Sequence, residues 1–290
     1  MLLTQGVVFW VLLSTNYGFV EIFLHFNLVA YLLSTLCVAG AGYLWNDLAD
    51  QETDAINKPE RRTIGRLLTA RGAALYAWGL TFVGGVLGFM ADVEVGLVSY
   101  CWEYLGVAAL LYAYAYRLKC TVLLGNLVVS FLCGLLVITA YYATDTHFNN
   151  DPFGVGWSVI AIPYALFAFG FTLLREMVKD IEDLPGDRQA NCATLPVRYG
   201  WRLSKTMALV WNGVLLLPFL LFMLLPWLTS DLQIPWIWTL SAAVISVLLI
   251  GCFAELRRAA LPDDFRRIST YIKIMMLAGL VCLLVLGTSF

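Results

Sequence analysis

Charge is what this sequence has least of. Only 13% of its 290 residues are Asp, Glu, Lys or Arg, against 61% hydrophobic, and mean hydropathy is +0.79. A water-soluble domain needs roughly a quarter charged residues to cover its surface, so this chain must present most of itself to lipid. Histidine is nearly absent, at two residues. The seven cysteines (37, 101, 120, 133, 192, 252 and 282) are odd in number, scattered and without a CxxC pair, which argues against a disulfide framework and a zinc site. The start, Met1-Leu2-Leu3-Thr4, lacks the positive region of a cleavable signal. No basic tract or low-complexity linker points to nucleic acid or to a separate soluble domain, and nothing points to an obligate protein partner.

What is present is a series of long apolar runs. A helix of about 20 apolar residues crosses the hydrocarbon, and the chain offers nine candidates, near 2–20, 25–48, 70–90, 95–116, 121–143, 157–180, 203–226, 235–256 and 268–288. The first is the weakest, interrupted by Asn16, Tyr17 and Gly18. All 18 Lys and Arg fall in four groups: after the second run (Lys58, Arg61, Arg62, Arg66, Arg71), after the fourth (Arg117, Lys119), around the loop after the sixth, and around the loop after the eighth. The alternate loops have none. Positive charge stays cytoplasmic, so the predicted topology is N-terminus in and C-terminus out. The expectation is one all-α, polytopic membrane domain over residues 1–290, with two pseudo-repeat halves near 1–143 and 144–290.

Two of the loops on the positive side follow acidic clusters of like spacing. One reads Asn46-Asp47-Leu48-Ala49-Asp50-Gln51-Glu52-Thr53-Asp54; the other runs from Arg175 through Lys179-Asp180-Ile181-Glu182-Asp183-Leu184-Pro185-Gly186-Asp187-Arg188. Both contain DxxDxxxD. On a helix these offsets fall within about 60° of one another, so the carboxylates share one face. In the second, Pro185 and Gly186 are expected to end the helix, leaving Asp187 to reach in from a loop. Carboxylates crowded near lipid need a neutralising cation, and oxygen-only donors select a hard one. Mg²⁺ commonly joins one or two carboxylates to substrate phosphates. A solvated helix end would explain a single DxxD; two copies of the longer pattern on one side, each beside basic residues, suit a diphosphate site.

These residues resemble the UbiA superfamily of intramembrane prenyltransferases, whose first signature, NDxxDxxxD, stands here at Asn46–Asp54. The second aspartate motif is similar to Lys179–Arg188, and Lys119-Cys120-Thr121-Val122-Leu123-Leu124-Gly125-Asn126 is similar to the segment where a lysine helps hold the diphosphate. The stretch REMVKDIEDLPGDR…ATLPVRYG looks most like the digeranylgeranylglyceryl phosphate synthase branch. There are two departures: the chain starts late against the family's longer basic first helix, suggesting a truncated start, and Lys58-Pro59-Glu60-Arg61-Arg62-Thr63-Ile64-Gly65-Arg66 stands where RPxRPxxSG is usual.

The resemblance implies about nine helices around a central cavity in a prokaryotic cytoplasmic membrane. It implies Mg²⁺-dependent transfer of a prenyl group, geranylgeranyl by the branch, from its diphosphate to a membrane-associated lipid or aromatic acceptor. Asp47, Asp50 and Asp54 would hold one metal, with Asn46 beside them, and Asp180, Asp183 and Asp187 the other. Asp50, Asp183 and Lys119 would serve catalysis, with Asn46, Arg61, Arg62, Lys119, Asn126, Lys179 and Arg188 binding substrate. A terpene cyclase on the same scaffold would use the same motifs; a transporter would need its acidic residues near the midplane, where this chain has almost none.

Tyr112, Tyr114 and Tyr116 sit two apart and are not expected to share a face; one of them is a candidate contact for phosphate or cation. Glu103 is expected to snorkel to the outer interface, and Trp227, Trp236 and Trp238 to form an aromatic belt there.

Overall fold

The computed structural model describes residues 26–57, 64–95, 99–148, 161–228 and 236–287. The predicted first span, 2–20, lies outside them, as do Lys58, Arg61 and Arg62. Among the described residues the structure is helical, with an isolated bridge between Ile64 and Leu68 as its strand pairing. The elements are α1 (Phe26–Ala49), α2 (Gln51–Asn57), α3 (Ala70–Val95), α4 (Ser99–Ala113), α5 (Leu124–Phe148), α6 (Ile162–Glu182), α7 (Leu184–Gln189), α8 (Leu195–Tyr199), α9 (Trp201–Leu228), α10 (Trp236–Arg258) and α11 (Pro262–Gly287). Eight long helices therefore stand where eight of the nine runs were expected.

Among the described residues, five helices carry stretches long and apolar enough to cross a membrane: Val29–Ala49, Ala70–Ala91, Leu124–Tyr142, Trp201–Leu224 and Trp236–Arg258. The burial pattern departs from a soluble protein's at the surface, which is apolar as well as the interior. Large apolar side chains such as Leu75, Phe82, Val210, Leu217, Leu221 and Val247 point outward, whereas Ser34, Asn126, Ser130, Ser204 and Asn212 are enclosed. α6 is the exception in composition. It carries Arg175, Glu176, Lys179, Asp180 and Glu182, yet it runs through the interior with Phe171, Leu174 and Val178 fully buried.

Two apolar cores hold the bundle. One joins Tyr31 and Val38 of α1, Tyr104 of α4 and Val137, Ala140 and Tyr141 of α5. The other joins Phe171, Leu174 and Val178 of α6 to Ala208, Leu249, Leu256, Ile272 and Met275 of α9, α10 and α11. Hydroxyls tie helices where lipid offers no partner: Tyr31 donates to Thr139 (2.9 Å) and Ser34 to the Gly84 carbonyl (2.5 Å).

At one end the long helices are joined by polar connections that fold over the bundle. α4 ends in a π-helical turn, Tyr114–Leu118, the kind of irregularity often found at functional sites. Gly125 opens α5 so close to this turn that an added Cβ would stand 2.7 Å from the Leu118 carbonyl oxygen and 2.8 Å from the Lys119 Cα. Gly200, with φ +89°, makes the corner between α8 and α9 that other residues rarely adopt. Lys205 of α9 donates to the carbonyls of Arg257 and Ala259 (2.9 and 2.7 Å), capping the C-terminus of α10.

One expectation fails here. Cys120 and Cys192, 72 positions apart, form a disulfide, and the Ala193 N–H donates to the Cys120 carbonyl at 3.1 Å. Spacing gave no sign of it, because only the folding of two distant polar connections over the same opening brings the thiols together.

Candidate functional site

Both acidic motifs sit where a long helix breaks and a short one begins. α1 ends at Ala49, Asp50 stands between helices, and α2 carries Asp54. α6 ends at Glu182, Asp183 is the junction, and α7 carries Asp187. The i−4 hydrogen bonding continues through each break, from the Asp50 and Asp54 amides to Asn46 and Asp50 and from the Asp183 and Asp187 amides to Lys179 and Asp183 (2.8–3.1 Å). The bend therefore leaves the helical spacing of each trio nearly intact. Asp187 lies in a helical turn rather than in the expected loop. α6 does end before Pro185, as expected, but proline is tolerated at the first positions of a helix, where its missing N–H is not needed, so a new short helix, α7, starts there in place of a loop.

The six aspartates line one cavity of about 300 Å³. Asn46, Lys119, Asn126 and Lys179 line it too, with Gln51, Thr53, Ile64, Tyr114, Glu176, Cys192 and Thr194. Asp50 accepts from Lys119 Nζ (2.5 Å), Asn46 Nδ2 (2.6 Å) and Thr53 Oγ1 (3.1 Å). Across the opening, Asn126 Nδ2 donates to Asp180 (2.8 Å), Thr194 to Asp187 (3.1 Å), and Lys179 Nζ stands 3.9 Å from Asp183. Burial pushes the Asp187 carboxyl up to about 6, the Thr194 hydroxyl opposes this, and the charges of Asp183 and Asp50 add to it. Among the described residues no three acidic, His or Cys side chains stand at ligand spacing around one point; here Lys119, Asn46, Thr53, Asn126 and Thr194 occupy the carboxylates instead. The donor chemistry fits a hard cation: every candidate ligand is an oxygen, and the burial that raises Asp187 is what a divalent charge would offset.

Arg188 does not belong to this lining and is exposed on α7. The three tyrosines divide between two environments. Tyr114 faces the cavity, whereas Tyr112 and Tyr116, four apart, share a face (ring centroids 4.7 Å) and cluster with Trp45 and Trp78. Glu103 lines a second, largely apolar cavity of about 50 Å³ with Tyr31, Thr35 and Tyr104. Sequence reading passed over Glu176, Thr53 and Thr194. For Glu176 a signal existed: it precedes Asp180 by four positions and so shares its helical face.

The helices and the cavity define a class: an integral membrane protein with a carboxylate-lined, oxygen-rich site at one end of its bundle. Residues 6–286 match the UbiA prenyltransferase family, and the chain belongs to that family. It is 34% identical over 184 residues to the digeranylgeranylglyceryl phosphate synthase of Methanobrevibacter smithii, covering 63% of this chain and 62% of that one. It is 32% identical over 234 residues to the enzyme of that name from Methanothermobacter thermautotrophicus, covering 81% and 73%. The chain thus spans somewhat under two thirds of the first relative's length and somewhat more of the second's. The fold recurs in a solved structure concerning digeranylgeranylglyceryl phosphate synthase in membranes (TM-score 0.66, 22% identity, 100% of this chain and 93% of that chain). It recurs also in a UbiA homologue from Archaeoglobus fulgidus bound to GPP and Mg²⁺ (TM-score 0.58, 15% identity, 97% and 94%).

Proposed function

We propose that this protein transfers a geranylgeranyl group from its diphosphate to the hydroxyl of geranylgeranylglyceryl phosphate in a Mg²⁺-dependent reaction. The observation that carries the reading is the meeting of both DxxDxxxD trios with Lys119 and Lys179 in one cavity. A pyrophosphate leaving group carries several negative charges, and the aspartates alone would repel it. The relatives' names supply the substrate class, and the A. fulgidus homologue's ligands, GPP and Mg²⁺, supply the cofactor.

Asp47, Asp50 and Asp54 would hold one Mg²⁺ and Asp180, Asp183 and Asp187 a second; bound there, Mg²⁺ withdraws charge from the diphosphate as the allylic C–O bond breaks. Lys119 is placed to exchange Asp50 for a phosphate oxygen, and Lys179 to do the same from the facing helix. Asn126 and Asn46 orient Asp180 and Asp50. The apolar bundle below excludes water from the developing allyl cation, so that the acceptor oxygen and not water captures it. Arg61 and Arg62 are assigned to the diphosphate, and Arg188, exposed on α7, to the phosphate of the acceptor. The distribution of Lys and Arg supports a topology with this end in the cytoplasm, the N-terminus in and the C-terminus out.

The test is incubation of the purified protein with Mg²⁺, geranylgeranyl diphosphate and either geranylgeranylglyceryl phosphate or an aromatic acceptor, with products identified by mass. Formation of the diether phosphate supports the reading. A prenylated ring would move the protein to the aromatic branch, and a cyclised hydrocarbon formed without acceptor would make it a cyclase.

A further inference from the structure

Beneath the aspartates lies a carboxylate that the diphosphate chemistry does not use. Glu176 is 6% exposed yet lines the same cavity. On α6 it stands four residues before Asp180 and seven before Asp183, about 6 and 10 Å deeper along the helix axis at 1.5 Å per residue. A diphosphate held by the aspartates would keep its charge at the polar end and extend its apolar chain, with the allylic carbon first, toward that depth. The groups facing Glu176 are Arg175, whose guanidinium donates to it, Lys179 and Asp180 on its own helix, Tyr114 on the π-helical turn opposite, and the Cys133 thiol of α5. Burying a carboxylate this far into the bundle is costly, and the packing of α6 does not need one: Leu173, Leu174, Met177 and Val178 already fill the core beside it.

We propose that Glu176 is the catalytic base that takes the proton of the acceptor hydroxyl, an assignment that rests on the transfer reaction proposed above. The acceptor oxygen forms an ether bond to the allylic carbon. The bond from that carbon to the diphosphate oxygen breaks, its electron pair leaving with pyrophosphate, and the hydroxyl proton moves to a Glu176 carboxylate oxygen. Product release then returns that proton to solvent. Tyr114 and Arg175 position the carboxylate for this step.

The experiment compares wild type, Glu176→Gln and Glu176→Asp in detergent, measuring diether formation against pH and the Mg²⁺-dependent binding of a non-ionising geranylgeranyl thiolodiphosphate. In E176Q, transfer is expected to fall about 10²- to 10⁴-fold, the range of general base catalysis, with the acidic limb of the pH–rate profile lost. Analogue affinity should stay within about threefold, and E176D should regain at least about tenfold over E176Q, since it keeps the base. Transfer by E176Q close to the wild-type rate would overturn the assignment and leave the overall reaction standing, with pyrophosphate as the proton's destination. Parallel loss of analogue binding in E176Q would assign Glu176 to structure instead. A wild-type protein that binds the analogue but makes no ether with this acceptor would overturn the transfer reading itself.

Discussion

The two aspartate motifs have the same spacing and opposite surroundings. Asp50, at the centre of the first, is held by an ammonium, an amide and a hydroxyl, and Lys119 arrives from 69 positions away. In the second, Asp180 is bonded by the Asn126 amide, Lys179 stands 3.9 Å from Asp183, and Asp187 is raised by burial and by its acidic neighbours. One trio thus holds the protein's own cation at hydrogen-bond distance, while in the other the lysine stands farther from its aspartate. The lesson is that a shared motif specifies ligand geometry and not electrostatic state. The second trio should depend more on an added divalent ion, and the first should release Lys119 to the substrate when such an ion arrives.

The largest effect expected is from Asp50→Asn and Asp183→Asn. Each should cost several kcal/mol of charge stabilisation, about a thousandfold or more in Mg²⁺-dependent turnover, while gel filtration in detergent shows an unchanged fold. Equal losses would make the two trios equivalent in the reaction, and a large loss in one alone would break the pairing. Lys119→Met should lower turnover by roughly ten- to a hundredfold, since removing a partner of an enclosed ion pair also leaves Asp50 uncompensated. Raised Mg²⁺ should recover part of that loss if the lysine and the ion share Asp50.

Stability changes come next. Serine at Cys120 or Cys192 should cost about 2–4 kcal/mol, the typical contribution of a single cross-link, read as a lower Tm that matches that of the reduced wild type. Gly125→Ala forces a methyl against the Leu118 carbonyl and should cost about 1–3 kcal/mol. It should also weaken diphosphate binding through the displaced Lys119.

The smallest effect separates the trios by pH. Because the folded-state carboxyl of Asp187 is raised above its ordinary value near 4, the metal-free protein is favoured below that value and loses this contribution as pH rises through about 6. Tm without metal should therefore be higher at pH 5 than at pH 7.5, and saturating Mg²⁺ should narrow or reverse the difference. A gap insensitive to Mg²⁺ would dissociate Asp187 from the metal.

Much of this architecture was legible because lipid imposes simple rules. Helix positions followed from apolar run lengths, and the aspartate trios from their spacing. Three features escaped for one reason: each depends on two segments meeting. The Cys120–Cys192 bridge and the Asn126–Asp180 and Thr194–Asp187 contacts join elements that composition treats as separate. Pro185 misled because the same residue that forbids a helix interior is favoured at a helix start. Tyr112 and Tyr116 part from Tyr114 through the helical period alone, which a strict reading of offsets four and two would have resolved.

The order of residues by itself determined that this chain is a helical membrane protein and that two carboxylate stripes flank its polar loops, because run length and helical period are local properties. Only the tertiary structure decided that both stripes open onto one cavity, that Lys119 lies against one of them, and that Glu176 sits below them. Which charges meet, and how much water is left between them, depends on how distant helices pack.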